Sequence, residues 1–294
     1  MHSFASSVRR SGFSLFELVV VLAVLGILAT IAVPRAGGAL DARRERASRE
    51  GMKAIEEAVL GGVGQRGLEG FYADMGRLPR ATLNADGEYS LRELWECPSS
   101  NASYRIVAPA ADPDVRVGIG WRGPYLDIAG EEPVDGWNRP YTDSPDATEE
   151  QRRLVLGANG AVEAIRRRNE KGDVVECSLK HERETVLVVT VQALDQNGAA
   201  SVQDLGTVTV SLYQPAPEHP GRIDVVEKMD TTATAVRTVR FDTGLLPGRR
   251  VLRVRSSRFG AGPVREIELR SEENHIWQAF TVRATAAIDD GNEP

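Results

Sequence analysis

Residues 13–33 read FSLFELVVVLAVLGILATIAV, an apolar run whose only charged residue is Glu17. As an α-helix these 21 residues extend over about 31 Å, which matches the hydrocarbon thickness of a bilayer. No other stretch of the sequence is comparably long and apolar. The sequence therefore predicts a single membrane-spanning helix near the N-terminus.

The residues before this run set its orientation. His2, Arg9 and Arg10 precede it without any acidic residue, and positive charge of this kind is retained in the cytoplasm. A cleaved secretory signal fits poorly, because its apolar core spans only about 7–15 residues. A plain signal anchor explains everything except Glu17, since a carboxylate within a spanning helix costs a few kcal/mol.

Residues 11–20, SGFSLFELVV, resemble the prepilin cleavage and methylation signal of type IV pilins and type II secretion pseudopilins. In that family a short basic leader ends in Gly, the mature chain begins with Phe, and Glu follows four residues later. Pro34 also stands where the family's proline interrupts the helix. The resemblance implies that prepilin peptidase removes residues 1–12 by cutting between Gly12 and Phe13, and methylates the new amine of Phe13.

The chemistry of these residues supports that expectation. Gly12 has no side chain, which lets the scissile bond lie extended in a protease. After cleavage, the positive amine of Phe13 could be neutralised by Glu17 of a neighbouring subunit, and such a pair fixes the register of packed helices. We expect a helix over 13–60, spanning the membrane at 13–33 and broken by a kink or local melting at Pro34, which lacks an N–H and clashes with the preceding turn.

The composition of the whole chain is that of a soluble globular protein, with 41% apolar and 27% charged residues. The net charge is −6 and no basic, aromatic patch occurs, which argues against a nucleic-acid partner. Within residues 61–179, Asn159-Gly160 predicts a hairpin joining residues 153–156 to residues 161–165. Ser90-Leu91-Arg92-Glu93 has the spacing of a capping box that opens a short helix.

Several short motifs in 61–179 resemble the major pseudopilin of type II secretion. They are Met75-Gly76-Arg77-Leu78-Pro79, Gly123-Pro124-Tyr125-Leu126, the loop from Pro133 to Tyr141 (PVDGWNRPY), and Leu156-Gly157-Ala158-Asn159-Gly160. The physical role expected for Trp137, Tyr125 and Tyr141 is to pack the loop onto the sheet.

Major pseudopilins commonly bind calcium in a loop after the turn that corresponds to residues 156–160 of this sequence. The same resemblance therefore makes calcium a candidate ligand. This sequence has Asn159 where the family has Asp, and Arg166-Arg167-Arg168 follows instead of an acidic loop. Calcium needs six to eight oxygen ligands, so the three arginines disfavour it. Calcium stays an open alternative, with Asn159 and Asp173 as its candidate ligands.

The two cysteines, Cys97 and Cys177, lie beyond the span, in a compartment where disulfides can form. A bond between them would close a loop of about 80 residues and stabilise the fold by about 4–4.5 kcal/mol on the chain-entropy model. We expect this disulfide; the alternative is two free thiols.

Residues 180–287 contain seven short β-type runs separated mostly by Gly, Pro, Asn or Asp, a pattern typical of a β-sandwich. The runs are Thr185–Gln192, Thr207–Tyr213, Arg222–Val226, Val236–Phe241, Arg250–Arg255, Val264–Leu269 and Ile276–Val282. The segment FDTGLLPG at 241–248 resembles the turn of carboxypeptidase-regulatory-like and related Ig-like modules, which usually act as spacers or binding domains. Residues 288–294 are predicted to be a disordered tail.

Together these observations predict an α+β chain with a long N-terminal helix, a small α+β pseudopilin-like head and an all-β sandwich. No catalytic constellation stands out, so an enzyme is not expected. The function expected is a structural subunit of a type II secretion-like pseudopilus. Its partners would be copies of itself, other pseudopilins, prepilin peptidase and the inner membrane, with the folded parts in the periplasm. The alternatives are an adhesive pilin-like subunit that binds through the sandwich, and a plain membrane-anchored domain.

Overall fold

A computed structural model describes residues 15–62, 69–127, 132–168, 173–180, 184–195, 197–270 and 272–281, with the side chains of 28–37, 101 and 281 left out. The predicted leader at 1–12, the cleavage residues Gly12 and Phe13, and the predicted tail at 288–294 lie outside the described residues. Within them, the chain is a long N-terminal helix followed by a β-rich region with several sheets.

The first element, α1, covers Leu15–Leu60. Near its C-terminal end, Met52, Ile55 and Val59 are buried, and their i, i+3, i+4 spacing places them on one face of the helix. Gly61 ends α1 with a φ of 86° and donates its N–H to the Glu57 carbonyl at 2.8 Å, a left-handed C-terminal cap. This face anchors the helix in the core that follows.

The predicted local melting at Pro34 is not observed, because α1 is continuous across this position; the kink stays a prediction. Proline removes one intrahelical hydrogen bond and crowds the preceding turn. The turns on both sides keep their own hydrogen bonds, so a helix of 46 residues can continue past it.

Among its described residues, the segment after α1 holds one short helix and three small antiparallel sheets, β1–β2, β3–β4 and β5–β6–β7. The other described residues of this segment form loops and 3-10 turns, so the predicted α+β head is matched only in part. The elements are α2 Phe71–Met75, β1 Thr82–Leu83, β2 Tyr89–Ser90, β3 Arg105–Val107, β4 Val117–Ile119, β5 Leu154–Leu156, β6 Val162–Arg168 and β7 Val174–Ser178.

Two local predictions for this segment had different outcomes. The hairpin is confirmed: β5 pairs with β6, and Asn159 and Gly160 take φ values of 58° and 73°, as a type I′ turn requires. The capping box is wrong. The Ser90 hydroxyl donates to the Thr82 carbonyl at 3.4 Å, and no side chain caps the 3-10 turn at Arg92–Leu94.

Glu93, the other half of the predicted capping box, makes a different contact. Its carboxylate accepts two hydrogen bonds from Arg77, at 2.7 and 2.9 Å, and a third from the Arg80 N–H at 2.8 Å. Because both side chains of the Glu93–Arg77 pair are more than nine-tenths buried, the pair belongs to the core rather than to a helix end.

All seven strands predicted in the C-terminal region are present, and they form two sheets. One sheet has the order β10-β9-β12, with β13 and β14 both pairing with β12; the other has the order β11-β8-β15, in which β8 and β15 are parallel. The strands are β8 Val186–Leu194, β9 Val208–Pro215, β10 Ile223–Asp230, β11 Val236–Phe241, β12 Gly248–Ser256, β13 Gly260–Ala261, β14 Arg265–Leu269 and β15 Glu273–Thr281.

Buried residues fall into two large clusters and one small one. The first cluster includes residues of α1, α2, β5 and β6, and we call the part of the chain from the C-terminal end of α1 to β7 the head. The second cluster lies between the two C-terminal sheets, and we call these two sheets the sandwich. The third joins them, because Val115, Val117 and Ile119 of the head contact Tyr213 and Val251 of the sandwich. One outer face of the sandwich is therefore covered by the head.

Candidate functional site

The first half of α1 carries the residues that the sequence singled out, and it projects from the head. Its large apolar side chains between Leu15 and Ile27 are all exposed, from 45% at Val20 to 83% at Leu15. Glu17 lies in the first turn and is also exposed. A helix that is apolar on all sides is typical of a segment covered by lipid or by other helices.

Among the described residues, no helix reaches both the length and the apolarity of a membrane span. The predicted span at 13–33 begins before the described residues and includes 28–33, whose side chains are not described. Gly12 and Phe13 lie outside the described chain, so the structure places Glu17 and the backbone of Pro34 but not the cleavage site.

A loop at 133–141 attaches α1 to the head through hydrogen bonds to Ser48. The Gly136 N–H donates to the Ser48 hydroxyl at 2.8 Å, and the Tyr141 hydroxyl donates to the Ser48 carbonyl at 3.1 Å. Within the loop, one oxygen of Asp135 accepts hydrogen bonds from the N–H groups of Trp137 and Arg139. Ser48 is buried by these contacts. The loop that resembles the pseudopilin motif therefore has a structural role against α1.

Arg167 adds a charged contact between α1 and the same loop. Its guanidinium lies 2.9 Å from the Glu45 carboxylate and 3.9 Å from the centre of the Trp137 ring. This contact lowers the pKa of the Glu45 carboxyl. Because Arg167 is buried, its charge is balanced by Glu45 and by the face of the indole. The predicted packing role of Trp137 is thus supported by its contact with Arg167.

Gly136 lies so close to α1 that no side chain fits. A methyl group at this position would lie 2.0 Å from the backbone oxygen of Arg44. We expect Gly136→Ala to lower the free energy of unfolding by about 1–3 kcal/mol, because the loop must move away from the helix. Urea unfolding of the detergent-solubilised chain measures this change. Gly62→Ala is the control, since nothing lies within 4 Å of its added methyl group; equal stability of the two variants would contradict the close fit.

The two candidate calcium ligands are not brought together. Asn159 lies in the turn before β6, and Asp173 lies just before β7, beside the far end of β6, where Arg168 pairs with Val174. The length of β6 separates them by about 20 Å. Among the described residues, no three His, Cys, Asp or Glu side chains are placed to share a metal ion.

The predicted disulfide is absent, and Cys97 and Cys177 are separate thiols. Cys97 follows the 3-10 turn and contacts the Ser99 carbonyl at 3.1 Å. Cys177 lies on β7, with its sulfur 3.6 Å from a carboxylate oxygen of Glu56 on α1. Each thiol packs at the edge of the head core, and Cys177 contributes there to holding α1 rather than closing a loop.

Polar residues that the sequence analysis missed connect the head to the sandwich. Asp112 accepts hydrogen bonds from Tyr213, Arg253 and Arg255, with 2.9 Å to the Arg253 nitrogen. Asp112 and Arg253 are buried. The sequence shows an acidic, proline-rich segment around Asp112 and alternating arginines in β12. Nothing in the sequence indicates that these two segments contact each other.

Arg250 is a second missed residue at the same junction. It is fully buried and donates to the backbone carbonyls of Leu246, Arg249 and Pro247 in the sandwich and to that of Ala73 in α2, the last at 2.9 Å. Burial lowers its pKa to about 10. Arg250 therefore remains charged at neutral pH and links α2 directly to the sandwich.

Comparison with known proteins identifies one segment. Residues 8–33 match the family described as the prokaryotic N-terminal methylation motif. No curated protein and no solved structure matches the chain. The match confirms the predicted prepilin-type signal, which implies a type IV pilin-like substrate of prepilin peptidase with a membrane-anchored N-terminus.

Proposed function

We propose that the chain is a structural subunit of a type II secretion-like pseudopilus. It is made in the inner membrane with its N-terminus in the cytoplasm and its head and sandwich in the periplasm. Prepilin peptidase cuts after Gly12 and methylates Phe13, and the mature subunit joins the filament through α1. In this role the chain catalyses no reaction and needs no cofactor.

The observation that carries the proposal is the methylation motif at 8–33, which includes the apolar, projecting first half of α1. A continuous exposed apolar surface of this size in a soluble protein marks a surface that another molecule covers. The bilayer covers it before assembly, and neighbouring α1 helices cover it in the filament. The second half of α1 is held by the loop at 133–141, which binds Ser48, and by Arg167, which binds Glu45, so each subunit presents its helix in a fixed direction.

Glu17 distinguishes a filament subunit from a plain anchored domain. An anchor gains nothing from a carboxylate in its apolar helix, whereas a filament uses it to neutralise the amine of Phe13 on a neighbour and to set the axial register. Other pseudopilins with the same signal are the expected further partners.

One observation favours the adhesive alternative. Trp277 on the edge strand β15 is 50% exposed, and its cross-strand partner in β8 is Thr190. An exposed indole beside a hydroxyl group is a common binding feature.

Secretion genes next to this one, in particular an ATPase and an outer-membrane secretin, would favour the pseudopilus.

N-terminal sequencing of the membrane-extracted protein tests the processing step. We expect the mature chain to begin at Phe13, because Gly12–Phe13 is the junction that resembles the family's cleavage site. Gly12→Val is the matched variant, and its added side chain should leave Met1 in place. An intact Met1 in the unmodified protein, or a start beyond Ala32, would rule out the proposal.

A further inference from the structure

A cavity of about 580 Å³ lies where the loop at 133–141 meets β6, and its charged residues are mainly arginines. We call it the arginine pocket. Its volume falls within the range of roughly 300–1,000 Å³ that is typical of small-molecule sites. The arginines of its lining are Arg139, Arg152, Arg153, Arg166, Arg167 and Arg168.

The carboxylates of the arginine pocket do not balance these arginines. The lining has six arginines and four carboxylates, a formal charge of +2, on a chain whose net charge is −6. Adding Glu45, which pairs with Arg167, still leaves +1. The pocket is therefore a local positive site on an acidic protein. Its carboxylates are those of Asp135, Glu149, Glu150 and Glu176.

The carboxylates are also unevenly distributed over the arginines. Glu149 and Glu176 both pair with Arg166, at 3.0 and 2.6 Å. Four other arginines of the lining have no carboxylate partner among the residues that the structure describes. Two of these are exposed, and the other two each donate to one backbone carbonyl. Because a guanidinium has five N–H donors, most of their donors are available to a ligand. The exposed pair is Arg139 and Arg168, and the other pair is Arg152 and Arg153.

Arg167 supplies buried donors to the same pocket. Its side chain is only 4% exposed, with Nη2 at 2.9 Å from the Glu45 carboxylate. Despite this ion pair, none of Nε, Nη1 and Nη2 has a hydrogen-bond acceptor in suitable geometry within the described ranges. Buried donors without an acceptor are rare in folded proteins. Since Arg167 lines the cavity, a ligand bound there can supply the missing acceptor.

We propose that the arginine pocket binds the phosphate group of a soluble molecule. Arginine forks bind oxyanions through paired, charge-assisted hydrogen bonds. A phosphate offers three acceptor oxygens, whereas a carboxylate offers two, so phosphate uses more of the donors that converge here. The cavity is larger than one phosphate ion and leaves room for the rest of the molecule. This inference does not depend on filament assembly.

The position of Arg167 along α1 favours a soluble phosphate over a lipid headgroup. Glu45, its partner, lies twelve residues beyond Val33, the last residue of the predicted span. In a continuous helix this distance is about 18 Å, or about 14 Å above the hydrocarbon if the helix tilts by about 40°. The headgroup layer is only about 5–7 Å thick on each side, so Arg167 lies beyond it.

Calorimetric titration of the detergent-solubilised full-length chain with inorganic pyrophosphate, at constant ionic strength, tests the site. We expect saturable binding at one site. Arg139→Ala with Arg168→Ala should weaken it about tenfold without changing the unfolding temperature of the free chain, because these arginines are exposed and unpaired within the described chain. Arg167→Lys keeps the charge beside Glu45 but lacks the fork, and it should also bind about tenfold more weakly.

The control pair is Arg222→Ala with Arg270→Ala, two exposed arginines outside the pocket, and it should bind pyrophosphate like the unmodified chain. Absence of saturable binding, or equal affinity of the Arg139→Ala, Arg168→Ala variant and the control pair, overturns the site. A second titration uses glycerophosphoglycerol, the headgroup of phosphatidylglycerol without its acyl chains. We expect it to bind at least about tenfold more weakly than pyrophosphate; the reverse order would assign the pocket to a lipid headgroup and contradict a soluble ligand.

Discussion

Asp112→Ala is expected to lower the free energy of unfolding by about 3–5 kcal/mol, because it removes the buried carboxylate that pairs with Arg253 and leaves this guanidinium only the exposed Asp114. Tyr213 and Arg255 lose a hydrogen bond at the same time. The lost contacts lie between the head and the sandwich. These two parts should therefore unfold in separate steps after the substitution. Calorimetry of the detergent-solubilised chain measures both the stability and the number of transitions.

The neighbouring Asp114 supplies a matched control. It also contacts Arg253, at 2.9 Å, but its side chain is 61% exposed. Asp114→Ala should therefore cost no more than about 1 kcal/mol, as for other exposed pairs. Equal losses in the two variants would show that burial of Asp112 does not set the strength of the junction.

The same pair predicts a pH dependence. Burial acts to raise the pKa of Asp112, but the hydrogen bonds from Arg255 and Tyr213 and the charges of Arg255 and Arg253 together hold the pKa below its ordinary value. A carboxyl group with a lowered pKa stabilises the fold above its unfolded pKa of about 3.9, and this stabilisation is lost as the pH falls through the folded pKa. Stability below about pH 4 should therefore fall more steeply in the unmodified protein than in Asp112→Ala.

Glu17→Ala should leave cleavage and membrane insertion intact but reduce filament assembly by more than about 100-fold. Removing a charge makes insertion easier. In the filament, the amine of Phe13 would lose its partner in a low-dielectric environment, at a cost of about 3–5 kcal/mol. The measurement is the yield of cross-linked ladders from overexpressed subunits, with N-terminal sequencing to confirm cleavage.

Two companion variants separate charge from packing. Glu17→Gln keeps the shape of the side chain and should be as defective as Glu17→Ala. Leu18→Ala removes an exposed apolar side chain of the same helical turn and should assemble well. Normal ladders from Glu17→Gln would contradict the proposed pairing with Phe13.

Features set by local patterns could be predicted from the sequence. The seven strands follow from alternating residues between turn signals, and Val236–Phe241 was predicted with the bounds that the structure has. Asn159-Gly160 specified its hairpin because both residues tolerate positive φ. The N-terminal signal combines charge, a small residue and a carboxylate at fixed spacings, and the family match covers the same residues.

Features that depend on distant contacts could not be predicted. Glu93 has capping-box spacing, yet it binds Arg77, because a buried ion pair outweighs a local cap that is worth about 1 kcal/mol. The cysteines were predicted to pair because their compartment permits disulfides and the bond would close a long loop, whereas the thiol of Cys177 contacts Glu56 on α1. Asp112 and Arg253 are separated by 141 residues, and no periodicity in the sequence links them.

The apolar surface formed by Val115, Val117 and Ile119 limits how this chain could have evolved. These side chains are almost fully buried against Tyr213 and Val251, so a relative that ended near residue 180 would expose them to water. Such a relative should carry polar residues at these three positions or should aggregate. Loss of the sandwich during evolution would therefore require several compensating substitutions in the head, which makes a single deletion an improbable step.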